Sequence, residues 1–190
     1  MTGLTIGIIG LVLTVLLCGI GSGLGLKATG KAAAGVLSED PTKFSKVIVL
    51  SLLPATQGIY GFLIAILGAQ YLPTVANIGD VAVSQAQLTA QGWNVFWACL
   101  PMMLGGAVSA YLQGRTAATT IIAVGKKGEI ASKSIIFPAM IEFYALLGLV
   151  VSIMMFNNMP IANIANPNTA PEAPQVIEGA VRAISAVFGA

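Results

Sequence analysis

The sequence predicts an all-α membrane protein of four transmembrane helices, built as two duplicated hairpins. Composition, the spacing of charge and an internal repeat carry that prediction. The chain of 190 residues is 56% hydrophobic and 8% charged, with no histidine and a mean hydropathy of +0.89, whereas a soluble domain is about 25% charged. Residues 2–26, 47–79 and 81–114 carry no charged side chain, and the run 134–171 carries only Glu142. A membrane-spanning helix needs about 20 apolar residues.

The first helix is expected over Leu4–Leu26. It lacks the basic leader of a signal peptide, and its apolar run is too long for one, so it reads as a span. Its end, GIGSGLGLKATGKAAAG, fails the spacing of a dinucleotide loop and follows no strand. Small residues in a membrane helix instead let backbones approach closely. Packing alone fits either a monomeric bundle or a wall of many copies.

Helix two is expected over Val47–Tyr71, helix three over Val95–Val124 and helix four over Ile135–Phe156. Lys27, Lys31, Lys43 and Lys46 flank the first connection, and Arg115, Lys126, Lys127 and Lys133 the third. The connection 72–94 holds only Asp80. The excess of positive charge in cytoplasmic loops then predicts a multi-pass protein of the cell membrane with both termini extracytoplasmic. The expected organisation is a first hairpin over 1–72, an extracytoplasmic loop over 73–94, a second hairpin over 95–157 carrying the carboxylate, and an extracytoplasmic tail over 158–190. Cys18 and Cys99 lie in apolar runs without metal spacing and read as small buried hydrophobes.

The repeat emerges at a shift of 84 residues, which aligns Gly21 with Gly105, Gly30 with Gly114, Pro54 with Pro138, Tyr60 with Tyr144 and Lys31 with Arg115. Under that shift Glu142 stands opposite Gly58. A carboxylate at a bilayer centre costs about 2.5 to 3.5 kcal/mol. At a rise of about 1.5 Å per residue, Gln57, Gln113 and Glu142 fall about 15, 16 and 12 Å from the cytoplasmic ends of their helices. Thr56 and Tyr60 share a face with each other, one turn apart.

No basic residue lies at that depth, so the counter-charge for Glu142 must come from solution. Hydroxyl, amide and carboxylate oxygens with one negative charge suit a monovalent cation or a proton better than a divalent ion, which takes several carboxylates or keeps waters. Pro54 and Pro138 each free a carbonyl one turn earlier and either kink the helix or offer another oxygen.

These residues are LPATQGIYGF in helix two, LQGRTAA in helix three and AMIEFYALLG in helix four. With the duplicated hairpins and glycine-rich first helix, they resemble the rotor-ring proteolipid, the c or K subunit, of V-type and A/V-type ATPases. The resemblance covers about residues 5–156 and is nearest to the bacterial sodium-translocating branch. It implies a homo-oligomeric ring that turns against a stator subunit bearing a buried arginine, with central-stalk subunits docked on the basic loops. It also implies Na+ held by the Leu53 carbonyl, Thr56, Gln57, Gln113 and Glu142, with Tyr60 donating a hydrogen bond to the carboxylate. H+ is the alternative cargo, since proton-carrying relatives generally keep the acid without the full polar set.

No GxxxxGK[ST] loop is present, so nucleotide chemistry belongs to other subunits and the chain is not an enzyme alone. Nothing in the pattern points to nucleic acid. A small-solute channel or transporter gated by Glu142 is the reading from another class, and a purely structural proteolipid leaves the polar set unexplained. The sequence departs from the family after Phe156, where 34 residues follow. The Asn- and Pro-rich part is expected as a linker, and Ile177, Val181, Ile184 and Phe188 at helical spacing predict a short amphipathic helix.

Overall fold

The computed structural model describes residues 3–72 and 85–159. The helices are α1 Gly3–Glu39, α2 Phe44–Leu52, α3 Thr56–Ala69, α4 Gln85–Lys126, α5 Ala131–Ser134 and α6 Ile136–Asn157. They make four stretches long and apolar enough to cross a membrane: Gly3–Glu39, Pro41–Ala69, Leu88–Lys126 and Gly128–Asn157. The expected tail helix and linker, and loop residues 73–84, lie outside the described residues.

Two helix ends differ from the hydropathy reading. α1 continues to Glu39 rather than stopping near Leu26, because the apolar run ends at Lys27 while the Ala-rich residues after it remain good helix formers. It stops before Pro41, where the Asp40 carboxylate accepts hydrogen bonds from the Thr42 amide at 3.1 Å and the Thr42 hydroxyl at 2.6 Å. That hydroxyl and the Lys43 ammonium hold the exposed Asp40 carboxyl below its usual range. α4 begins at Gln85 rather than near Val95, so the second half of the expected loop 73–94 is helical. Its Gln, Ala and Leu residues favour helix without being apolar enough to register as a span.

α1 and α4 run side by side in the same direction along the middle of the bundle. Glycines make this approach close. A Cβ added at Gly25 would stand 2.7 Å from the Ala110 carbonyl oxygen, and one added at Gly10 would stand 2.9 Å from the Phe96 Cα. One at Gly114 would run into the Gly25 backbone. In lipid such close backbone packing replaces the hydrophobic drive that water supplies elsewhere.

α3 packs on α1 and α6 on α4, so each hairpin places one helix in the middle and one outside. Gly61 lies against Cys18, and Gly148 against the Pro101 carbonyl. Both cysteines are free and buried, and the Cys18 thiol donates to the Met102 carbonyl at 3.4 Å. At the basic end Lys43 donates to the Gly125 carbonyl at 2.7 Å, tying the first connection to the end of α4.

Candidate ion-binding site

Pro54 sets the local geometry of α3. It lacks an N–H and so interrupts the helical ladder, and the chain tightens into one 3-10 turn over Leu53–Ala55 between α2 and α3. The Thr56 hydroxyl, at the start of α3, donates to the Leu53 carbonyl at 3.0 Å and lies 3.3 Å from Gln57 Oε1. Gln57 comes next, without solvent exposure, and Tyr60 follows one turn on.

From there the polar side chains form a continuous hydrogen-bonded path across three spans. Gln57 Nε2 donates to Gln113 Oε1 of α4. Gln113 Nε2 donates to the Pro138 carbonyl at 3.1 Å and to Glu142 Oε2 at 3.4 Å. Tyr60 Oη donates to Glu142 Oε1 at 3.0 Å. All five side chains singled out in the sequence, with the Leu53 carbonyl, therefore meet in one place.

Both oxygens of Glu142 face neutral donors. The ion pair formed among the described residues joins Lys43 to Asp40, far from the site. The described residues also hold no group of three or more His, Cys, Asp or Glu side chains that could cage a metal. What the site offers is a hydroxyl, two amide oxygens, a backbone carbonyl and one carboxylate. That donor set is hard and carries a single negative charge, which fits a monovalent alkali cation or a proton.

The repeat partner of the site is closed. A Cβ at Gly58, the counterpart of Glu142, would lie 3.2 Å from the Ser22 hydroxyl, and Tyr144, the counterpart of Tyr60, is 69% exposed on the outer face of α6. Sequence reasoning missed the Pro138 carbonyl as a partner of Gln113. No signal in the sequence marked it, since the bond depends on how α4 and α6 are rotated against each other.

Comparison with known proteins agrees with this duplication. The family model for the ATP synthase C subunit matches residues 5–68 and 96–155, once on each hairpin. The chain belongs to the ATP synthase C-subunit family. Over 157 residues it is 40% identical to the V-type sodium ATPase subunit K of Enterococcus hirae, covering 82% of this chain and 93% of that protein. It is also 38% identical over 152 residues to the A-type ATP synthase subunit K of Methanocaldococcus jannaschii, covering 80% of this chain and 62% of that protein. Members of the family assemble into membrane rings within rotary ATPases and are not catalytic alone. This chain is accordingly a multi-pass membrane proteolipid of a V- or A-type rotor ring.

Proposed function

We propose that this proteolipid carries Na+ across the membrane, one ion at each Glu142, as the ring turns. The observation that carries the reading is the path Thr56–Gln57–Gln113–Glu142–Tyr60, in which every side chain contributes an oxygen or orients one. Leu53, Thr56, Gln57, Gln113 and Glu142 supply the ligands, and Tyr60 steadies the carboxylate. The similarity to a relative named as a sodium ATPase subunit supports the same cargo.

The physics fits rotary transport. A bare carboxylate facing hydrocarbon costs about 2.5 to 3.5 kcal/mol, whereas an ion-loaded one is neutral. Each charge moved across 100 mV is worth about 2.3 kcal/mol. Many such steps must be summed, which a ring of identical subunits does. A stator subunit with a buried arginine would discharge each Glu142 as it arrives, and central-stalk subunits would grip the basic loops on the cytoplasmic side. Both termini then lie outside the cell membrane.

Binding of radioactive Na+ to the purified ring tests this reading. One Na+ per subunit, lost in Glu142→Gln and unaffected by excess K+, is the expected result. Absence of Na+ binding by a ring that still transports H+ would replace Na+ by H+ as the cargo.

A further inference from the structure

Pro101 lies inside α4. It takes one donor out of the helical ladder and crowds the preceding turn, so backbone groups near it are open to side chains of neighbouring helices. Both groups of the next residue are met in that way. The Met102 amide donates to Ser152 Oγ of α6 at 3.1 Å, and the Met102 carbonyl accepts from the Cys18 thiol of α1 at 3.4 Å. Ser152 and Met102 are both without solvent exposure. One turn before Ser152, Gly148 lets the two backbones close up: a Cβ there would stand 2.8 Å from the Pro101 carbonyl oxygen and 3.5 Å from Met102 Cα.

These residues accompany the carboxylate. Pro54 and Pro138, like Tyr60 and Tyr144, recur in both hairpins, as general needs of the hairpin would. Under the same shift of 84 residues, Pro101, Gly148 and Ser152 stand opposite Leu17, Ile64 and Gly68, in the hairpin that has Gly58 in place of Glu142. The contact is thus built where there is an acid to hold and left out where there is none.

We propose that Ser152 is a positioning residue for ion binding: its bond to Met102 sets the rotation of α6 about its own axis, and that rotation keeps Glu142 within reach of both Tyr60 and Gln113. Pro138, Ala145, Ser152 and Phe156 form the buried face of α6. At 3.6 residues per turn, Glu142 lies about 80° round the helix from Ser152 and about 15 Å along it. It therefore stands at the edge of that face, where α3 supplies Tyr60 and α4 supplies Gln113. A helix surface lies about 5 to 6 Å from its axis, so a turn of about 10° moves the carboxylate by about 1 Å. The bond from Gln113 to Glu142, already 3.4 Å long, does not survive such a shift. Apolar contacts between helices in lipid are a weak brake on rotation, because lipid tails offer similar contacts. A hydrogen bond to a backbone amide is directional and fixed to α4.

This inference rests on ion carriage at Glu142, and its test separates the two. Ser152→Ala, Ser152→Thr and Leu149→Ala are made in the full-length chain, and carbodiimide labelling of Glu142 in native membranes is followed against Na+ at fixed pH. Leu149 packs against the same apolar cluster as Met102, so its truncation loosens α6 without removing the hydrogen bond. Ser152→Ala is expected to need about three- to ten-fold more Na+ for half protection. Ser152→Thr, which keeps the hydroxyl, and Leu149→Ala should need as much as the parent, although Leu149→Ala melts lower. Half protection of Ser152→Ala at the parent's Na+ concentration, an equal shift in Leu149→Ala, or no recovery in Ser152→Thr overturns the positioning role. A parent ring that labels at Glu142 without protection by Na+ overturns sodium carriage instead. Positioning is then read from the rate of labelling in Na+-free buffer: several-fold faster in Ser152→Ala, where the carboxyl has turned toward lipid, supports it, and a rate equal to the parent's overturns it.

Discussion

Tyr60 of α3 donates its hydroxyl hydrogen to Glu142 of α6 across 3.0 Å, from the first hairpin to the second. The two halves of the duplication are thereby fastened at Glu142. Tyr60 holds one oxygen of the carboxylate and Gln113 the other, which fixes its orientation.

Tyr60→Phe removes that donor and leaves the ring packing in place. Hydrogen bonds to charged groups are worth about 1.5 to 3 kcal/mol. Ion affinity should fall about ten-fold or more, read by Na+ titration of the purified ring, with little change in thermal stability.

Gln113→Ala should be more damaging. Gln113 touches Gln57, Pro138 and Glu142 and is fully buried, so truncation leaves a cavity and unpaired polar groups on the two neighbouring spans. A loss of about 2 to 4 kcal/mol in stability is expected, together with loss of Na+ binding. Thermal unfolding of the solubilised ring and the same titration measure both.

Gly25→Ala tests the central packing at a position that contributes no side chain to the site. The added Cβ would meet the Ala110 carbonyl oxygen and the Pro54 Cβ at 2.7 Å each, which α1 and α4 can relieve only by moving apart. Overpacking of this kind costs about 1 to 3 kcal/mol. A melting temperature equal to that of the parent would show that the two helices approach less closely than these contacts require.

Ser22→Ala goes the other way. The Ser22 hydroxyl is the buried side-chain polar atom without a hydrogen-bond partner among the described residues. Leaving such a group unpaired costs about 1 to 3 kcal/mol, so its removal should be neutral or stabilising. A clear fall in thermal stability would show that the hydroxyl has a partner.

The site was more legible in the sequence than the helix ends. Thr56, Gln57, Gln113 and Glu142 stood out because polar side chains are scarce in apolar runs, and helical rise alone put the last three at one depth. The ends of α1 and α4 were obscured because hydropathy marks where lipid solvation stops, whereas a helix stops where its backbone is broken, as at Pro41. The bond from Gln113 to the Pro138 carbonyl depends on how α4 and α6 are rotated against each other, and no periodicity in either helix encodes that rotation. The unpaired Ser22 was hidden for the same reason, since its neighbour Gly58 lies on another span.

The most direct test of Na+ carriage at Glu142 is labelling of native membranes with a hydrophobic carbodiimide, which modifies a protonated buried carboxyl, at fixed pH across a Na+ titration. The modified residue is located by mass spectrometry. Glu142 should be labelled without Na+ and protected as Na+ rises but not as K+ rises, with protection lost in Thr56→Ala and Gln113→Ala. Labelling that follows pH and ignores Na+ would contradict sodium carriage and assign a proton to the same carboxylate.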